Sequence, residues 1–205
     1  MQSRSSTRGP SGRAVTVALA ILTLALASST TSTGATESSS VPKTLDSVSA
    51  ANIAETIGYL QGLGTREFHT AGAAQAAEYI HDEFESMGVE VRYQSFTLDS
   101  VNVSNVVATI PGTISEGGIY LVGAHYDSEN QAVNTYEEAV SIAAPGADDD
   151  ASGVAAVLEI ARAISSSGLT IERTIKFVAF GAEEMGYNGT GGLQGSSYFV
   201  ANEID

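Results

Sequence analysis

Three short polar clusters interrupt apolar stretches of this chain: His125-Tyr126-Asp127 in "GAHYDS", Asp148-Asp149-Asp150 in "PGADDDASGVAAV", and Glu183-Glu184 in "FVAFGAEEMG". A metal-ligating imidazole commonly donates its other ring N–H to a carboxylate, and a His-x-Asp pair at a strand end could supply both partners locally. Consecutive aspartates repel and raise one another's pKa unless a cation or strong donors sit among them. The plainer account of that run is a solvated loop in which Asp150 or Ser152 caps the next helix, each acid near the helix N-terminus contributing roughly 0.3–1 kcal/mol. One cap uses one side chain, and three acids between Gly146 and Gly153 exceed that need. Adjacent glutamates leaving a strand point apart, so one can ligate an ion while the other faces whatever the ion holds. That division supplies a ligand and a general base, because metal-activated water is a nucleophile near neutral pH and a neighbouring carboxylate can take its proton. The plainer accounts of the other two clusters are a polar strand-end histidine and a pair of helix N-terminal acids.

Other chemistries lack their residues. There is no G-x-S-x-G elbow, H-E-x-x-H helix, Walker loop or complete G-x-G-x-x-G, and the spacing of the acids is not that of an EF-hand. Cysteine is absent, which removes disulfides, thiolate zinc sites and lipid attachment through a cysteine. Any metal must be held by histidine and carboxylates. Of the other two histidines, His69 and His81 lie in or beside an early helix and read as surface or helix-cap residues.

The elements that would position these clusters follow from periodicity. Helical spacing covers Ala50 to Leu60 and Ala71 to Met87, the latter with a stripe of Ala73, Ala77, Ile80 and Phe84 ahead of Gly88. "VEVRYQSFTL", "SNVVATIPG" and "GIYLVGAHYDS" read as strands, the first two as a hairpin-like pair. Val154, Val157, Leu158, Ala161 and Ile164 mark another helix, and "RTIKFVAFGA" a strand covered on both faces. The order predicts an α/β fold with a mixed β-sheet sandwiched by helices. In open sheets of this kind ligands bind outside the carboxyl ends of the strands, where all three clusters fall.

The chain has 205 residues, room for one domain, and a net charge of -15, which would repel a nucleic-acid backbone. No nucleic acid is expected as a partner. Arg4, Arg8 and Arg13 precede the apolar run Ala14 to Ala27, short for a membrane span and suited to a secretory signal. The expectation is a signal peptide over 1–35, cleaved after Ala27 or Ala35, then a Ser/Thr-rich linker over 36–44 and a domain over 45–205. A retained N-terminal anchor helix is the alternative. After removal of the leader the product would be secreted, without stable membrane association, and at -18, since 6 basic residues face 24 acidic ones.

Taken in order, the three clusters resemble the M28 family of secreted zinc aminopeptidases, which use two co-catalytic zinc ions. The segment "YLQGLGTREFHTAGAAQAAEYI" is similar to the region preceding the sheet in those enzymes, so the resemblance spans roughly residues 45 to 205. It implies a zinc-exopeptidase fold and a peptide substrate. It further implies that His125 ligates one zinc, Glu184 the other, and Asp149 bridges both, which would neutralise the crowded aspartates. Glu183 would be the general base and Asp127 would orient His125, while Asp148 and Asp150 flank the site without ligating. Two departures stand out. "YNGTGGLQ" widens the loop between Glu184 and Gly195, and the Asp and His with which the family completes its site further along have no counterpart before Asp205. The chain is therefore expected to be the N-terminal part of a longer peptidase domain, with Thr174 to Phe180 lacking part of its cover. A non-catalytic M28-like binding module and a glutaminyl cyclase on the same fold are the alternatives.

Overall fold

A computed structural model describes residues 40–203 apart from Ser115. The signal peptide expected over 1–35 and residues 36–39 lie outside the described residues.

The first described element falls partly in the segment expected as a linker. Ser40–Asp46 is a helix, α1, that begins inside the 36–44 segment. Composition reads this segment as solvated, but the turn after it is anchored by tertiary bonds. Arg162 Nη2 donates to Ser47 O and the Ser49 N–H donates to a Glu159 carboxylate oxygen. Asn52 Nδ2 reaches the other Glu159 oxygen at 3.2 Å.

Two longer helices follow, α2 (Ala50–Gly62) and α3 (Ala71–Ser86), with Ser49 and Thr70 as their side-chain N-caps. Strands β1 (Glu90–Leu98) and β2 (Val101–Ile110) form an antiparallel hairpin in register from Glu90–Thr109 to Leu98–Val101. Its two-residue turn has Asp99 at φ 47° and Ser100 at φ 65°, the left-handed pair that matches the twist of the strands. Strand β3 (Ile119–His125) leads through the short helix α4 (Tyr136–Ser141) and a π-type turn over Ala147–Ala151 into α5 (Ser152–Ser165). Strand β4 (Thr174–Phe180) and helix α6 (Gln194–Glu203) complete the described elements.

The sheet order is β1-β2-β4-β3, with β4 antiparallel to β2 and parallel to β3. This is the mixed sheet expected from the sequence, and helices cover both faces. Side chains alternate across a strand, so Val106, Ala108, Phe177 and Ala179 meet Leu60, Ile80, Phe84, Val154 and Leu158 on one face. Val107 and Val178 meet Phe199 of α6 on the other. Strand β4 thus has apolar neighbours on both sides and is fully buried at Phe177, Val178 and Ala179, while Thr174, Ile175, Lys176 and Phe180, in the strand expected to lack part of its cover, are half-buried. On the neighbouring edge strand Ile119, Tyr120 and Leu121 are open to solvent.

Topology brings the clusters together. Because β3 and β4 are parallel and in register at His125 and Phe180, residues 125–127 and 181–184 leave the sheet side by side. The β3-to-β4 connection returns through α5, so the N-terminus of that helix, carrying the aspartates, opens at the same end. The β1–β2 turn is also there, since β2 starts where its antiparallel neighbour β4 finishes.

Candidate metal centre

His125, the last residue of β3, is the hub. Its Nε2 lies 3.0 Å from Asp149 Oδ1 and 3.8 Å from Glu183 Oε2. Its Nδ1 is buried, without a hydrogen-bond partner, and 3.6 Å from Asp127 Oδ1. One ligand atom from each of His125, Glu183 and Glu184 can be chosen so that all lie within 4.8 Å of one another. The expected residues therefore converge: His125, Glu183 and Glu184 as a trio, Asp149 through the imidazole, and Asp127 beneath them.

Asp127 is fully buried and holds the third cluster by its backbone. Its two oxygens accept the N–H groups of Glu183 at 3.1 Å and Glu184 at 2.9 Å. It thus touches both the histidine and the glutamate turn, a wider role than orienting His125. Ala182 enters that turn at φ 54° while fully buried, a conformation that costs a non-glycine residue about 1–2 kcal/mol. That twist brings the two glutamates to the site.

The aspartate run splits by task. Asp150 Oδ1 accepts the Gly153 N–H at 2.9 Å and so caps α5, the role the plainer account gave it. The Asp148 carbonyl accepts from Ser152 Oγ at 3.0 Å while its side chain is exposed. Asp149 is the member of the run whose carboxylate reaches the imidazole Nε2 of His125, at 3.0 Å.

Arg66, which pattern reasoning passed over, sets the loop in front of this run. It is fully buried and donates to the carbonyls of Leu60 at 3.0 Å, Tyr126 at 2.7 Å, Pro145 at 2.7 Å and Gly146 at 3.0 Å. All four partners are backbone oxygens, so no complementary acid in the sequence signals them. Gly146 sits at φ 46°, and a Cβ there would come within 2.5 Å of Asp149 O and 2.8 Å of Arg66 Nη2. Glu129, also missed, accepts the Gly186 N–H at 3.1 Å beside Glu184. Of the remaining histidines, His81 keeps a partly open surface position, stacked on Tyr93. His69 is corrected: its side chain is only 7% exposed, between Glu67 and Asp99, and Thr70 is the cap of α3.

The electrostatics of the metal-free site show how crowded the charges are. Burial works against a charge on His125, but the carboxylates of Asp127, Glu183 and Asp150 overcome it and push its pKa up to about 9. Burial, joined by the charges of Asp127 and Asp149, pushes Glu184 up to about 7. Burial likewise raises Asp150, against the pull of His125. The shifts mark protons held on partly buried groups set among carboxylates, sites where a dication competes with the proton.

The donor set fits zinc. It offers one imidazole and carboxylate oxygens without thiolate, ligand types that zinc takes, and His125 Nε2 and Asp149 Oδ1 already face each other at 3.0 Å.

Comparison with known proteins agrees with this geometry. Residues 105–205 match the sequence profile of peptidase family M28, a stretch that contains every residue of the site. The chain belongs to peptidase family M28. A probable zinc metalloprotease of Pyrenophora teres f. teres is 34% identical over 170 residues, covering 73% of this chain and 35% of that protein. Among solved structures, LapB from Legionella pneumophila superposes with a TM-score of 0.63 at 26% identity, over 82% of this chain and 43% of that one. A Tannerella forsythia glutaminyl cyclase superposes with a TM-score of 0.55 at 29% identity, over 66% of this chain and 47% of that one. This M28 chain thus spans less than half the length of each of these relatives. The fold is that of the zinc exopeptidases, and the family makes zinc the expected metal.

Proposed function

We propose that this M28 chain carries the zinc-binding and proton-transfer part of an aminopeptidase that removes N-terminal residues from peptides. The observation that carries the proposal is the convergence of His125, Asp149, Glu183 and Glu184 above the buried Asp127. His125 and Glu184 would each hold one zinc ion, and Asp149 would be the carboxylate available to both. When bound, zinc acts as a Lewis acid that polarises the scissile carbonyl and makes water nucleophilic near neutral pH. Glu183 takes the proton of the attacking water on a carboxylate oxygen and passes it to the leaving amine nitrogen as the C–N bond breaks. Asp127 keeps His125 and both glutamates in register throughout. The charged leader with its apolar run supports export of the mature protein, and N-terminal sequencing of the exported form is expected to begin near residue 28 or residue 36.

The roles are tested by Glu183→Gln and Asp149→Ala in the full chain. Glu183→Gln is expected to lower hydrolysis of a leucine anilide by on the order of 10²–10⁴ with zinc content unchanged, and Asp149→Ala to lose zinc together with activity. Near-normal turnover of Glu183→Gln would overturn the base assignment. Cyclisation of a glutaminyl peptide without anilide hydrolysis would place the chain with the cyclases of the same fold.

A further inference from the structure

The loop over residues 187–192, the widened stretch that departs from the M28 pattern, is bound to the glutamate turn along its whole return. The N–H groups of Gly191, Gly192, Leu193 and Gln194 donate to the carbonyls of Met185, Glu184, Glu183 and Ala182, at 2.8, 2.8, 2.9 and 3.0 Å. Asp127 therefore holds the turn by its N–H groups and the loop holds it by its carbonyls. The closure admits only glycine at 191, where a Cβ would stand 1.8 Å from Glu184 O.

The outer end of the loop is tied down by side chains from two distant segments. Asn188 Nδ2 donates to Asp99 Oδ2 at 2.6 Å, and Asn188 Oδ1 accepts from both N and Oγ1 of Thr190. The same Asp99 oxygen lies 3.1 Å from His69 Nε2, and His69 Nδ1 lies 2.8 Å from Glu67 Oε1. Glu67 is buried, and its second oxygen accepts the His69 N–H at 2.9 Å. The imidazole is packed against Phe68 and Tyr187, with centroids 4.0 and 5.0 Å away. The imidazole thus stands between two carboxylates, its Nδ1 facing Glu67 and its Nε2 facing Asp99.

We propose that Glu67, His69, Asp99 and Asn188 form a relay that locks the 187–192 loop onto the Glu183–Glu184 turn, with His69 as its positioning residue. The consequence for chemistry rests on the peptidase role given above to those glutamates. The relay itself does not, since it concerns only how the turn is held.

The experiment is a double-mutant cycle in the full chain with His69→Ala, Asn188→Ala and the pair, together with His69→Gln. Amide hydrogen exchange is read over 183–194, and kcat and KM are read on a leucine anilide. Each single variant is expected to speed exchange at 191–194 by on the order of tenfold, and the pair by no more than the worse single, because both act through Asp99. His69→Gln keeps an amide donor for Asp99 and should recover part of the protection. Turnover should fall with KM unchanged. Unchanged exchange, or multiplicative effects in the pair, would overturn the relay. If His69→Ala fails to fold, Asn188→Ala, an exposed loop residue, decides by its exchange alone. If the unmutated chain hydrolyses nothing, the peptidase role fails while the exchange cycle still judges the relay.

Discussion

Replacing Asp127 with asparagine separates its two functions from its shape. The side chain is fully buried, so water cannot substitute for what is lost. One amide oxygen still accepts one backbone N–H, but the amide nitrogen faces the other, where a donor meets a donor across the 2.9–3.1 Å now spanned by hydrogen bonds. A hydrogen bond to a charged acceptor contributes about 1.5–3 kcal/mol, and the orphaned N–H adds its desolvation, so a loss of about 2–4 kcal/mol is expected. For a domain of this size that is a fall in Tm of roughly 5–12 °C. The same change removes the carboxylate that does most to raise His125, so its pKa should drop from about 9 toward the ordinary 6.5. Thermal unfolding of the metal-free protein and a histidine NMR titration measure the two effects. A Tm within about 2 °C of the unmutated chain, or a His125 titration that does not move, would refute this account of Asp127.

Metal-free stability should decline as pH rises. Glu184 and His125 both have folded values above their unfolded ones, so their contributions are full below about pH 4.5 and 6.5 and are lost as pH passes about 7 and 9. Zinc affinity should run the other way, increasing from pH 6 to 9 as fewer protons must be displaced, which calorimetry in buffers of different ionisation enthalpy will register as proton release. Glu159→Gln removes the charge that pairs with Arg162 and turns one of the two accepting oxygens into a donor facing donors, and should lower Tm by roughly 4–10 °C while leaving zinc affinity unchanged. Gly146→Ala forces a left-handed alanine into Asp149 O and Arg66, and should cost at least about 2 kcal/mol by denaturant titration and weaken zinc binding as well.

What could be read before the structure was known was what depends on local pattern. The stripe of Val154, Val157, Leu158 and Ala161 identifies α5, the apolar run 174–180 identifies a strand with apolar neighbours on both faces, and the three acidic or histidine clusters mark residues that converge at one end of the sheet. What stayed hidden depends on partners far along the chain. Arg66 spends its charge on four backbone carbonyls, which leave no trace in residue types. His69 acquires its role from a turn at Asp99 and a loop at Asn188, neither of which shows helical or strand periodicity. Helix α1 lies in polar composition, and the turn after it is secured at Ser47 and Ser49 by Arg162 and Glu159, more than 100 residues away.

Zinc-edge anomalous diffraction from crystals of zinc-loaded protein locates the metal without reference to activity. One peak should lie about 2.0–2.2 Å from both His125 Nε2 and an Asp149 carboxylate oxygen, and a second should share Asp149 and be bound by Glu184. Zinc found only at His81, Asp82 and Glu85 on α3, the other described group able to hold an ion, would contradict the assignment of the metal centre.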